Sequence, residues 1–68
     1  MKIEEAIVYV LASSDRGMKT DMIARIINER RLHVRADGQK VTSAQVYAVI
    51  MHHSSVFTKE DGVIRLLI

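Results

Sequence analysis

The end of the chain changes period. Val56-Phe57-Thr58-Lys59, then Glu60-Asp61-Gly62, then Val63-Ile64-Arg65-Leu66-Leu67-Ile68 read as two strands about a tight turn. Most apolar residues before Ser54 recur instead at helical spacing. Helical segments followed by one terminal hairpin leave few arrangements open to a chain of 68 residues. Phe57, Ile64 and Leu66 are expected to face the core, with Lys59 and Arg65 on the solvent side.

Ile3, Ala6, Ile7, Val10 and Leu11 place a first helix at about residues 3–14. Glu4 and Glu5 suit the positive end of its dipole. Its other side carries Glu5, Tyr9 and Ala12, with Val8 between the faces. Cover by the rest of the domain is the plain account of so apolar a helix, and a homodimer contact through Val8 and Tyr9 is the alternative. Ser13 to Gly17 is a polar break in which Gly17 can take the left-handed conformation. Met18 and Lys19 form a short bridge of one or two strand residues. Thr20 can cap a second helix from about Asp21 to Arg31, burying Ile23, Ala24 and Ile27 and turning Arg25, Asn28, Glu29 and Arg30 outward.

Leu32-His33-Val34-Arg35 alternates apolar and basic residues and reads as a short extended piece, and Asp37-Gly38 is a two-residue turn signal. The third helix, within Val41–His53, has a marked start. Thr42 is its N-cap, Gln45 stands three residues on as in a capping box, and Val41 and Val46 are placed as a hydrophobic staple. Val46, Val49, Ile50 and His53 share one side; Ala44, Tyr47, Ala48, Met51 and His52 share the other. The order of helix, bridge, helix, connection, helix and hairpin predicts an α+β, mainly α fold. It is a winged helix-turn-helix, with three helices and a C-terminal β-hairpin wing, in a single domain over residues 1–68.

So short a chain buries only roughly 60% of its unfolded surface, but 49% hydrophobic residues suffice for a simple core. There is no proline and no cysteine, which excludes a disulfide framework and a thiolate zinc site. Met1 leads straight into mixed charge. The longest apolar run, Ala6 to Ala12, is far short of the roughly 20 residues that span a bilayer. An intracellular, cytoplasmic, soluble module without membrane contact is expected. The apolar ending Leu66-Leu67-Ile68 suggests a domain edge, with the natural protein expected to continue into another domain.

Charge is unevenly placed. Between Arg16 and Lys40 seven cations face three anions, whereas the rest of the chain holds three cations and five anions. No charged side chain lies between Val41 and Thr58. The third helix therefore has a buried side and an uncharged, mildly apolar side. Such a face enters a nucleic-acid groove or docks on a protein.

The stretches GMKTDMIARIINERRL, DGQKVTSAQVYAVI and VFTKEDGVIRL resemble the HARE-type winged-helix domain. That module is found beside restriction endonucleases and other DNA-modifying enzymes, in chromatin proteins, and in the delta subunit of bacterial RNA polymerase. The resemblance spans Ile3 to Leu66. It rests on Leu32 with the basic connection to Lys40, on the helix beginning Thr42-Ser43-Ala44-Gln45, and on Phe57 with Gly62 before a final strand. The prolines common in the family near Gly17-Met18 and near Thr42 are missing. Threonine caps a helix in place of the second. The resemblance implies a DNA-binding accessory module in transcription or restriction-modification.

Duplex DNA, with the third helix in the major groove, is accordingly the leading expectation. Lys19, Arg31, Arg35 and Lys40, with Lys59 and Arg65 on the wing, are the candidate phosphate contacts, which set affinity but carry no sequence information. Ser43, Gln45, Tyr47 and His52 are the candidates for base edges, and Ala44 and Ala48 for thymine methyls. Each has a plainer assignment: Gln45 in the capping box, Ser43 as a first-turn residue, Tyr47 in packing, Arg30-Arg31 as a solvated helix end. Without Arg or Lys on the helix, recognition should be weak or shape-based. The alternative is a protein-docking module using the Ala44/Ala48/Met51 face. Beside DNA, a protein partner or a fused enzymatic domain is expected, and the chain is expected to be a monomer or weak homodimer.

No catalytic residue, cofactor or metal is expected. His52 and His53 are adjacent and point to different sides of a helix, and neither they nor His33 has a carboxylate at ligand spacing. Asp15, Asp21, Glu29, Asp37, Glu60 and Asp61 fall at caps, helix surfaces or turns, with no phosphate loop or activated nucleophile nearby.

Overall fold

The computed structural model describes residues 1–14 and 16–67. The expectations that touch Asp15 and Ile68 lie outside those residues. In chain order the elements are α1 (Ile3–Ala12), α2 (Thr20–Arg30), α3 (Ser43–His52), β1 (Phe57–Glu60) and β2 (Val63–Leu66). Three helices followed by an antiparallel hairpin form the winged-helix arrangement.

Helix α1 starts where Glu5 Oε1 accepts the Lys2 N–H at 2.9 Å. It stops at Ala12, two residues earlier than its apolar spacing predicts. Ser13 ends it, its N–H and its hydroxyl both donating to the Tyr9 carbonyl, at 3.1 and 2.8 Å. Ala6, Ile7, Val10 and Leu11 are buried, whereas Tyr9 stays 45% exposed.

Helix α2 begins one residue before its expected start. Lys19 occupies the N-cap without a side-chain cap bond, and Thr20 is already helical. Asp21 Oδ1, in the first turn, accepts the Met22 N–H at 2.9 Å instead. The far end also departs from expectation. Arg31 is not helical but left-handed, with φ 52°. Its N–H donates to the Asn28 carbonyl at 3.3 Å, and the Leu32 N–H reaches the Ile27 carbonyl at 3.0 Å. This is the Schellman pattern, which normally uses glycine at the left-handed residue. Half-buried Leu32 packs on the core behind it. Arg31→Gly is therefore expected to raise stability by about 0.5–1 kcal/mol in a denaturant melt, because glycine relieves the left-handed strain.

The 31–42 connection forms no strand, so the extended piece expected at Leu32–Arg35 has no pairing partner. A turn does close at Asp37-Gly38, with Gly38 N–H donating to the Arg35 carbonyl at 3.0 Å and Gly38 at φ 77°. Side chains hold the loop in place of a ladder. Arg35 donates to the Lys40 carbonyl at 3.3 Å, and Asp37 Oδ1 accepts the Gln39 N–H at 3.0 Å.

Thr42 caps α3 as expected, its hydroxyl accepting the Gln45 N–H at 3.1 Å. Val41 and Val46, the two ends of the staple, are both buried. The far end of the helix differs from expectation. Helical phase puts His53 on the buried side, but the helix ends at His52 and His53 is its exposed C-cap. Freed from the helix, the His53 carbonyl accepts the Val56 and Phe57 N–H groups, at 2.9 and 3.2 Å, and turns the chain into β1.

The strands pair Phe57 with Leu66, Thr58 with Arg65, Lys59 with Ile64 and Glu60 with Val63. The loop is Asp61-Gly62, at φ 54° and 78°, the two left-handed residues that suit a tight hairpin. A single bridge extends the sheet. Met18 N–H donates to the Ile64 carbonyl at 3.0 Å, and Ile64 N–H to the Met18 carbonyl at 2.7 Å. Gly17, beside this bridge, has no positive φ, so the expected left-handed role is replaced by a steric one. Ile7, Ile23, Ile27, Val46 and Ile64 form the fully buried centre, where α1, α2, α3 and β2 meet.

Candidate nucleic-acid interface

Helix α3 lies with Val46 and Ile50 inward and Val49 half-buried, which leaves Ser43, Ala44, Tyr47, Ala48, Met51 and His52 exposed. The division into two faces follows the helical period, because α2 covers one side only. The outward face is uncharged: two alanine methyls, a methionine, a tyrosine and small polar groups.

Two of the proposed base readers depart from their plainer assignments. Gln45 is half-buried, and its Oε1 is enclosed without a hydrogen-bond partner. Its backbone N–H satisfies Thr42, but no side-chain bond returns to the cap. Gln45 is thus neither a complete capping-box partner nor part of the outward face. Tyr47, expected at the edge of the packed side, is 40% exposed. Lys59 Nζ sits 4.7 Å from its ring centroid, within the range at which a ring face attracts an ammonium.

The wing cations separate. Lys59 and Ile64 are cross-strand partners and share the core-side face of the hairpin with Phe57 and Leu66. Lys59 lies toward the turn end of that face and reaches Tyr47 of α3. Arg65 pairs with Thr58 on the opposite face, where it lines a hollow with Arg16, Gly17, Ser14 and the end of α1. Both are exposed, but only Arg65 lies on the solvent side as expected; strand alternation puts Lys59 on the core-side face, where it lies against α3.

The other cations gather around the connection. Lys40 and Ser43 line a shallow groove between α2 and the start of α3, opposite Asp21, Arg25 and Glu29. Arg31 and Lys40 share a second hollow with Asn28, His33 and Gln39. Arg25 is paired with Glu29 at 2.8 Å. Arg35 is also paired, to Asp37 Oδ2 at 2.7 Å, so it holds the loop and is less available than Arg31 or Lys40. The Gln39 backbone N–H, and then the Arg35 guanidinium, hold the Asp37 carboxyl below the ordinary carboxylate value. This support to the loop is present at neutral pH and is lost as pH falls through the depressed value. Lys19 is exposed at the start of α2.

Helical phase turns Asn28 outward, but it is half-buried, and its role is the main one that spacing does not reveal. Its Nδ2 donates to the Val41 carbonyl, and its Oδ1 accepts the Val41 N–H, both at 2.9 Å. One amide side chain thereby fixes the residue just before the α3 cap to the side of α2. It sets where the outward face of α3 begins.

Among the described residues, no three His, Cys, Asp or Glu side chains converge to hold a metal ion. No helix of the described chain is long and apolar enough to cross a membrane. Comparisons with protein-family models, with characterised proteins and with solved structures gave no match.

Proposed function

We propose that this winged helix binds double-stranded DNA as a non-enzymatic accessory module of the HARE type, with α3 in the major groove. The observation that carries the reading is the position of Lys59. The wing cation lies over Tyr47, midway along an exposed and uncharged helix face, while Lys40 lines a groove with Ser43 at the start of that helix and a second hollow with Arg31. Cations at the start and beside the middle of an apolar face suit phosphates lining a groove. Lys19 is a further phosphate contact, Arg65 a peripheral one, and Arg35 acts mainly by shaping the loop. Ser43, Tyr47 and His52 are the polar groups that reach base edges, and Ala44 and Ala48 meet apolar ones. With no Arg or Lys on α3, discrimination among sequences should be small.

A second reading has its own support. Met51 is 56% exposed beside Ala48, and an adaptable apolar side chain of this kind also suits a protein partner. Fluorescence anisotropy with a generic duplex across a salt series separates the two. Lys40→Ala and Lys59→Ala are each expected to flatten the plot of log affinity against log salt by about 0.9, without changing sequence preference. Arg31→Gly should do the same while making the fold more stable. Unchanged slopes in all three variants, with binding lost in Ala48→Glu, would overturn the phosphate-led account.

A further inference from the structure

Away from α3's outward face, a cleft of about 250 Å³ opens between α1 and the entry to β1. Its lining is almost wholly apolar, from Val8, Val56 and the buried Phe57, with Glu4, Glu5 and His53 at its edge. None of these belongs to the proposed DNA surface. The volume is below the range of roughly 300–1,000 Å³ usual for small-molecule sites and suits one large apolar side chain. Val56 is 37% exposed and Leu67 is 50% exposed. The Leu67 N–H donates to the Val56 carbonyl at 2.8 Å, which sets a second exposed apolar residue beside Val56. Contiguous apolar surface with a polar rim is the usual mark of a protein contact.

The rim decides the occupant. Neither Glu4 nor Glu5 forms an ion pair with any described side chain, and Glu5 uses one oxygen to accept the Lys2 N–H. A second copy of the chain is disfavoured, because a two-fold contact would set the patch against itself and bring glutamates to glutamates. The same charge turns away nucleic acid. We infer that the cleft docks a basic amphipathic segment of a partner protein, one apolar side chain entering between Val8 and Val56 and flanking Lys or Arg meeting Glu4 and Glu5. This inference stands independently of DNA binding. It would let one small domain hold DNA on α3 and a protein on α1.

The test is an amide-shift titration of the labelled protein with a Leu/Lys amphipathic peptide of about four helical turns and with its Leu/Glu counterpart. The Leu/Lys peptide should shift Val8, His53, Val56 and Phe57 saturably and bind about tenfold tighter than the Leu/Glu peptide. Glu4→Gln with Glu5→Gln, which preserves the acceptor for Lys2, should abolish that preference. Val56→Asp, at an exposed site that leaves the core intact, should remove binding. Equal response to both peptides, no response, or the same shifts arising from the protein's own dimerisation in sedimentation would each overturn the proposal.

Discussion

Gly17→Val is expected to lower the melting temperature by about 4–24 °C. A Cβ at this position would collide with Val63 Cγ1 and would lie 2.7 Å from both Arg65 Cγ and the Ile64 carbonyl oxygen. Side-chain atoms can move aside, but the carbonyl cannot move freely. It accepts the Met18 N–H in the bridge that ties the hairpin to the chain between α1 and α2. Relief of the clash therefore pushes β2 outward and draws Ile64 from the centre of the core. Overpacking of this kind costs about 1–3 kcal/mol. In a domain this small each kcal/mol shifts the midpoint by about 4–8 °C. Gly38→Ala is the control. Gly38 has positive φ but nothing within 4 Å of the added methyl, so it should lose only about 1 kcal/mol. Thermal unfolding by circular dichroism measures both. A Gly17→Val protein melting as the parent does would show that β2 does not approach Gly17 so closely.

Asn28→Ala should cost about 2–4 kcal/mol in a denaturant melt and should also weaken DNA binding. The substitution removes the partners of the Val41 N–H and carbonyl together. Val41 is itself buried, so water cannot readily replace both, and each orphaned buried group costs about 1–3 kcal/mol. The damage should be local before it is global. Hydrogen exchange should quicken first at Val41 and through the Thr42 cap, while Ile7 and Ile27 keep their protection. Loss of the tether also frees Lys40, one residue away, from its place beside Ser43. A melt within about 0.5 kcal/mol of the parent, with slow exchange retained at Val41, would count against the clamp.

These two residues also mark what the chain discloses by inspection and what it does not. Periodicity and local chemistry are enough to place the core of α2, the Thr42 cap with its Val41–Val46 staple, the outward face of α3 and the Asp61-Gly62 turn. Each depends on residues within a few positions of one another. Gly17 and Asn28 act through partners far along the chain, at Ile64 and Val41, and no spacing rule signals such a meeting. Arg31 was hidden for a different reason. A left-handed C-terminal residue is usually glycine, and an arginine there reads as one more turn of helix. His53 follows the apolar stripe of α3 in sequence, yet the helix ends one residue before it. On the candidate surface, the outward set Ser43, Tyr47 and His52 could be read from helical phase alone. The splitting of Lys59 from Arg65 needed the hairpin register, and the engagement of Arg35 by Asp37 needed the loop's actual path.

The central claim is that α3 and its flanking cations form one DNA-facing surface. An amide-shift titration of the labelled protein with a short generic duplex, at low and at near-physiological salt, tests it most directly. The account predicts salt-sensitive shifts at Arg31, Lys40, Ser43 to His52 and Lys59, weaker ones at Arg65, and none at Val8 or Val56. An absence of shifts at low salt, or shifts confined to Ala44, Ala48 and Met51 with no dependence on salt, would contradict it.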